Sequence, residues 1–136
     1  MLSRLAILIG TALTLSGCAT SYSTSCAPPS RAMAQAEMFF GRNVGRHTGV
    51  SEAVFSDFLK REIAPRFPQG FTVIDARGQW REPDGALVTE PSKVVVIVFD
   101  DTPRAREALG GIAQAYKSRF RQQSVLTTVR PTCASM

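Results

Sequence analysis

Apolar residues recur along this chain with two periods, and the change of period marks the elements. Gln35 to Arg42 (QAEMFFGR) is a short apolar run ended by Gly41, which predicts a strand. From Ser51 the positions Val54, Phe55, Phe58, Leu59 and Ile63 fall at helical spacing, so residues 51 to 64 read as an amphipathic helix. Ser51 is its expected N-cap, and Pro65 and Pro68 mark its exit. Phe71 to Arg77 (FTVIDAR) alternates and is β-branched, Pro83-Asp84-Gly85 is a turn signal, and Lys93 to Phe99 (KVVVIVF) is the strongest strand. A second helix follows from Pro103 to Arg119, with Thr102 as cap and Ala105, Leu109, Ile112, Tyr116 and Phe120 on one face. Gln123 to Val129 (QSVLTTV) closes the series as a strand.

The order β-α-β-β-α-β predicts an α+β fold of the ferredoxin-like kind, an antiparallel sheet in strand order 4-1-3-2 with two helices on one face. Strands 1 and 3 are then central, and neither Met38-Phe39-Phe40 nor Val94 to Phe99 has a polar side. The face away from the helices therefore calls for a cover. A homodimer mate, a small ligand or an envelope protein partner would supply one, as would the long 2-3 hairpin folding over.

The first residues obey a different pattern. Met1 to Arg4 is cationic, and Leu5 to Leu15 is apolar but shorter than the roughly 20 residues needed to span a bilayer. Leu15-Ser16-Gly17-Cys18 resembles the lipobox of bacterial lipoproteins. That resemblance implies a signal peptide over 1–17, cleavage before Cys18, and acylation of Cys18 as a membrane anchor, since several acyl chains hold where one is marginal. Ala19 stands where an Asp would signal inner-membrane retention, so the expected site in a Gram-negative host is the outer membrane, facing the periplasm. Residues 18–34 (CATSYSTSCAPPSRAMA) lack apolar periodicity and read as a tether, leaving 35–133 as a single domain.

With Cys18 acylated, Cys26 and Cys133 remain, one at each end of the domain. An oxidising compartment favours a disulfide between them, with two buried thiols or a reactive dithiol as the alternatives; no C-x-x-C motif is present. The net charge of +5 is scattered and forms no dense basic stripe, which argues against nucleic acid as a partner.

Candidate chemistry is sparse. His47, the one histidine, stands in the loop GRNVGRHTGVS with Arg42 and Arg46, just ahead of the first helix, where an anion would be favoured; a solvated glycine-spaced loop is the simpler reading. Asp75, Gln79 and Trp80 are candidates to line a pocket at the sheet end, with Trp80 as a stacking surface and Asp75 as base or acceptor, or else to organise the bend into the hairpin. The exits of the first two strands are expected at opposite ends of the first helix, which separates His47 from Asp75. A lone histidine without clustered ligands gives no metal site, and no nucleophile elbow, phosphate loop or dinucleotide fingerprint implies a cofactor.

PRFPQGFTVIDARGQW (Pro65 to Trp80), with FFGR before it and EPSKVVVIV (Glu90 to Val98), AYKSRFRQQSVL (Ala115 to Leu126) and Cys133 after it, resembles the bacterial family of unknown function 3574. The resemblance implies a small exported protein, often a lipoprotein, and carries no activity. Two functions are expected to compete: a non-catalytic envelope module binding a partner or ligand, and an enzyme or ligand-processing protein of the dimeric ferredoxin-like type.

Overall fold

A computed structural model describes residues 25–45 and 47–135. The expected signal peptide over 1–17, the expected acylation site Cys18, and Arg46 lie outside the described residues. Six strands and two helices follow the order β1 (Arg31–Gly41), β2 (Asn43–Val44), β3 (His47–Thr48), α1 (Glu52–Phe58), β4 (Thr72–Arg81), β5 (Leu87–Phe99), α2 (Pro103–Phe120) and β6 (Leu126–Ala134). The fold is α+β. Its main sheet runs β4-β5-β1-β6 with every neighbouring pair antiparallel, and β2 and β3 form a small separate hairpin.

Period-two alternation decides which side chains enter the core. Ala34, Ala36, Met38 and Phe40 of β1 face the helices, as do Val95, Ile97 and Phe99 of β5. Against them α1 lays Phe55 and Phe58, and α2 lays Leu109, Ile112, Tyr116 and Phe120, all in one buried cluster. Four rings form its centre: Phe40 meets Phe55, Phe58 and Tyr116 edge-on, with centroids 5.7, 5.9 and 4.7 Å away. Edge-on contact sets positive ring edges against negative faces, which adds about 0.5–1.5 kcal/mol per pair beyond area burial.

The helix ends follow local chemistry. Ser51 Oγ accepts from the Val54 amide at 3.3 Å, and Thr102 Oγ1 from the Ala105 amide at 3.2 Å, each satisfying a donor that the first turn leaves free. α1 does not stop at Phe58 but widens into a π turn over Leu59–Ile63, where Ala64 donates to the Leu59 carbonyl at 2.9 Å. Pro65 lacks an amide proton to carry the helix on.

β1 begins at Arg31, four residues ahead of the predicted Gln35. Arg-Ala-Met-Ala has little β-propensity of its own, and its pairing with Ala134 to Pro131 of β6 supplies the order. Cys26 lies just ahead and is joined by a disulfide to Cys133 of β6. The hairpin of β4 and β5 is also longer than predicted, with pairs running from Thr72–Val96 out to Arg81–Leu87.

Candidate functional site

The helix-free face of the sheet divides into two halves. Toward one end it is polar: Gln35 Nε2 donates to Glu37 Oε1 at 3.0 Å, and Arg130 lies 3.4 Å from the same oxygen. Toward the other, Ile74, Val94, Phe39 and Leu126 stand in register across all four strands. Ile74 and Leu126 at the edges are 49 % and 61 % exposed. Beyond this apolar row a groove of about 930 Å³ opens between the β4–β5 hairpin, the β2–β3 hairpin and the segment after α2. Phe39, Trp80, Glu90, Ser92 and Gln122 are among its lining residues.

Glu90 is the unusual member. It is a carboxylate on a sheet surface, yet only 8 % exposed. Its cross-strand partner in β4 is Gly78, and its carboxylate lies over Gly41 of β1 so closely that a Cβ on Gly41 would stand 2.1 Å from Oε1. Two side chains are missing where the acid needs space, and Glu90 folds down into it. Oε2 accepts from the Asn43 amide at 3.0 Å, which ties the β1 exit to the hairpin. Burial pushes the Glu90 carboxyl above its usual range, with backbone hydrogen bonds from Asn43 and Arg42 opposing.

The wall behind this site is fixed from the core. Tyr116 donates its hydroxyl to the Gly41 carbonyl at 2.8 Å, and Gln122 Nε2 donates to the Asn43 carbonyl. Burial raises the Tyr116 phenol far above its ordinary value, with the Arg42 charge opposing, so it stays a donor at any working pH. On the hairpin, Trp80 Nε1 donates to Glu82 Oε1 at 3.2 Å, which orients the indole.

The residues singled out from sequence divide between the two sides of the sheet. Gln79 and Trp80 line the groove. Arg42 and Asp75 do not; both belong to a charge network on the helix side. There Lys93, 6 % exposed, pairs with Asp75 and, at 2.7 Å, with Glu52 Oε2. Arg42 pairs with Glu52 and donates through Nε to the Val50 carbonyl at 2.8 Å. Arg42 is therefore buried and committed to protein groups, and it is not held out toward a bound anion. His47 is exposed in β3.

The expected separation of the first and second strand exits is corrected by the same network. β1 and β4 are both antiparallel to β5, hence parallel to each other, and leave the sheet at the same end. That end carries the N-terminus of α1, so Arg42, Glu52, Asp75 and Lys93 meet there. Among the described residues no group of three His, Cys, Asp or Glu side chains is placed to hold a metal ion, and no helix is long and apolar enough to cross a membrane.

The network makes stability pH-dependent. Hydrogen bonds from Lys93 come first among the causes that hold both Glu52 and Asp75 below their ordinary values. A depressed carboxylate stabilises the fold above its unfolded value and loses that contribution as pH falls through the folded one. The thermal midpoint is therefore expected to drop on acidification below about pH 4, where free Asp and Glu titrate. Asp75→Asn should make that limb shallower in melts followed by circular dichroism; an unchanged acid slope would place its source elsewhere. Glu90, shifted upward, acts with the opposite sign and removes stability as pH rises through its range.

An antiparallel sheet backed by two helices, with a groove on the bare face, defines an α+β domain. Residues 35–136 match the family described as protein of unknown function (DUF3574), and the chain belongs to that family. No curated protein matches the chain. Among solved structures it is similar to a phage SAM lyase in complex with S-methyl-5′-thioadenosine, at 22 % identity and a TM-score of 0.60, covering 76 % of this chain and 90 % of that one. The phage SAM lyase in its apo state is 25 % identical with a TM-score of 0.52, covering 77 % and 90 %. CutA from Synechococcus elongatus PCC7942, complexed with a Bis-Tris molecule, is 11 % identical with a TM-score of 0.51, covering 78 % and 87 %.

Proposed function

We propose that this protein is a lipid-anchored envelope protein whose folded domain, of ferredoxin-like type, binds a small nucleoside-type ligand in the groove on the helix-free face. The observation that carries this reading is the groove itself, about 930 Å³ in volume, which brings the aromatic surfaces of Phe39 and Trp80 to one buried carboxylate. Volumes of several hundred Å³, apolar walls and few convergent polar groups are what small-molecule sites require. The likeness to the phage SAM lyase, solved with S-methyl-5′-thioadenosine, supports a nucleoside as the ligand class. It also supports a second reading, an enzyme acting on such a ligand.

Trp80 is the sole tryptophan of the chain, so its fluorescence reports the groove directly. Titration of the full chain with S-methyl-5′-thioadenosine is expected to quench or shift that emission with saturation below about 1 mM, an affinity of roughly 4 kcal/mol. Emission that stays flat through that range removes the groove reading. Release of S-methyl-5′-thioadenosine from S-adenosylmethionine by the purified chain, measured by chromatography, would decide for the enzyme over the binding module.

The anchor rests on the lipobox resemblance at Cys18. Cys18→Ser is expected to leave the membrane fraction; a variant that still sediments with membranes at high salt and high pH contradicts acylation there.

A further inference from the structure

We infer that the groove takes a cationic ligand and that Glu90 is its counter-charge, with the Trp80 indole as the second cation-attracting surface. This rests on the reading of the groove as a small-ligand site and adds the charge of what binds there.

Glu90 is a carboxylate removed from water, and among the described residues no Lys, Arg or His pairs with it. Its carboxylate is met instead by backbone amides, with the Asn43 amide donating to Oε2 at 3.0 Å. Taking an anion out of water without a counter-charge is costly, and folded proteins ordinarily avoid it. The nearest buried cations cannot serve, because Arg42 and Lys93 point to the helix side and are held by Glu52, Asp75 and the Val50 carbonyl. Arg77 and Arg121 also line the groove, yet neither pairs with Glu90.

The neighbours of Glu90 leave its charge accessible from the groove. Gly78 beside it and Gly41 beneath it present backbone only. Two residues further along β4 and on the same face stands Trp80, paired with Val88. Same-face neighbours on a strand are about 7 Å apart, so the indole and the carboxylate flank one site. An indole face attracts a cation through its quadrupole, and the attraction strengthens when water is excluded. A sulfonium or ammonium carried on a flat heterocycle meets both groups at once.

The test compares two ligands that share one nucleoside and differ by a methyl group and a positive charge: 5′-dimethylsulfonio-5′-deoxyadenosine and S-methyl-5′-thioadenosine. Both are titrated against the full chain by Trp80 fluorescence and by calorimetry. The sulfonium is expected to bind about tenfold tighter than the thioether, the scale of one charge-assisted contact. In Glu90→Gln the ratio should fall to near one. Where Glu90→Gln fails to fold, Glu90→Asp, which keeps the charge but withdraws it by one methylene, should give an intermediate ratio. Equal affinities in the wild type, or a preference that survives Glu90→Gln, overturn the assignment of Glu90 while the groove reading stands. If neither ligand perturbs Trp80 or gives heat, both fall together.

Discussion

Replacing Cys26 and Cys133 together by Ser is expected to lower the unfolding free energy by about 3–5 kcal/mol. The residues are 107 apart in sequence, so the disulfide closes nearly the whole domain into one loop in the unfolded chain. In the chain-entropy model a loop of that size is worth up to about 4.7 kcal/mol, acting mainly by restricting the unfolded ensemble. That is a large share of the roughly 5–15 kcal/mol by which a domain of this size is stable. Urea unfolding of the oxidised wild type against the double variant measures it. A midpoint shift worth less than about 1 kcal/mol would mean that the unfolded chain already holds its ends together or that the link strains the native sheet.

Phe40→Ala is the second large effect, with an expected loss of about 3–5 kcal/mol from removed burial plus the cavity left behind. Phe40 is fully buried, and its ring is the common neighbour of Phe55, Phe58 and Tyr116. Its removal leaves three rings, two on α1 and one on α2, that face a void, so collapse of any one cannot fill it. Tyr116 also holds the Gly41 carbonyl, which lies beneath Glu90. Phe40→Ala is therefore expected to weaken ligand binding in the groove as well as stability. Phe40→Leu, which keeps most of the volume, should lose about half as much of each. Equal losses for the two substitutions would show that ring geometry, and not volume, is what the site depends on.

Both helices and the inner strands were legible because their periodicity is dense: Phe55, Phe58 and Ile63 on one helix, Leu109, Ile112 and Tyr116 on the other, Val94 to Phe99 in β5. The caps at Ser51 and Thr102 are local chemistry and are equally readable. What local pattern conceals is whatever depends on a distant partner. Arg31 to Met33 become strand because β6 lies beside them. Glu90 stands in EPSK, which reads as a polar run before a strand; its burial comes from Gly78 across the ladder and Gly41 nearly fifty residues earlier. Continuing the alternation of Val94 backwards through Ser92 to Glu90 would have put the acid on the bare face.

The candidate residues divide along the same line. Trp80 and Gln79 border the groove, because their β4 positions lie on the hairpin that walls it. Arg42 and Asp75 belong instead to the network of Lys93, and nothing near either in sequence announces a buried lysine in the strongest apolar strand. Lys93 opens KVVVIVF at the last inward-facing position before the hairpin, where the sheet end meets the first turn of α1.

The disulfide also determines how the domain carries mechanical load. β1 and β6 run antiparallel, with Arg31 opposite Ala134 at the end where Cys26 and Cys133 are joined. A pull on the chain ahead of Cys26 thus reaches both strands at once, through backbone into β1 and through sulfur into β6. The ladder between them cannot be peeled open one hydrogen bond at a time from that end. Force must instead shear β1 or β6 lengthwise.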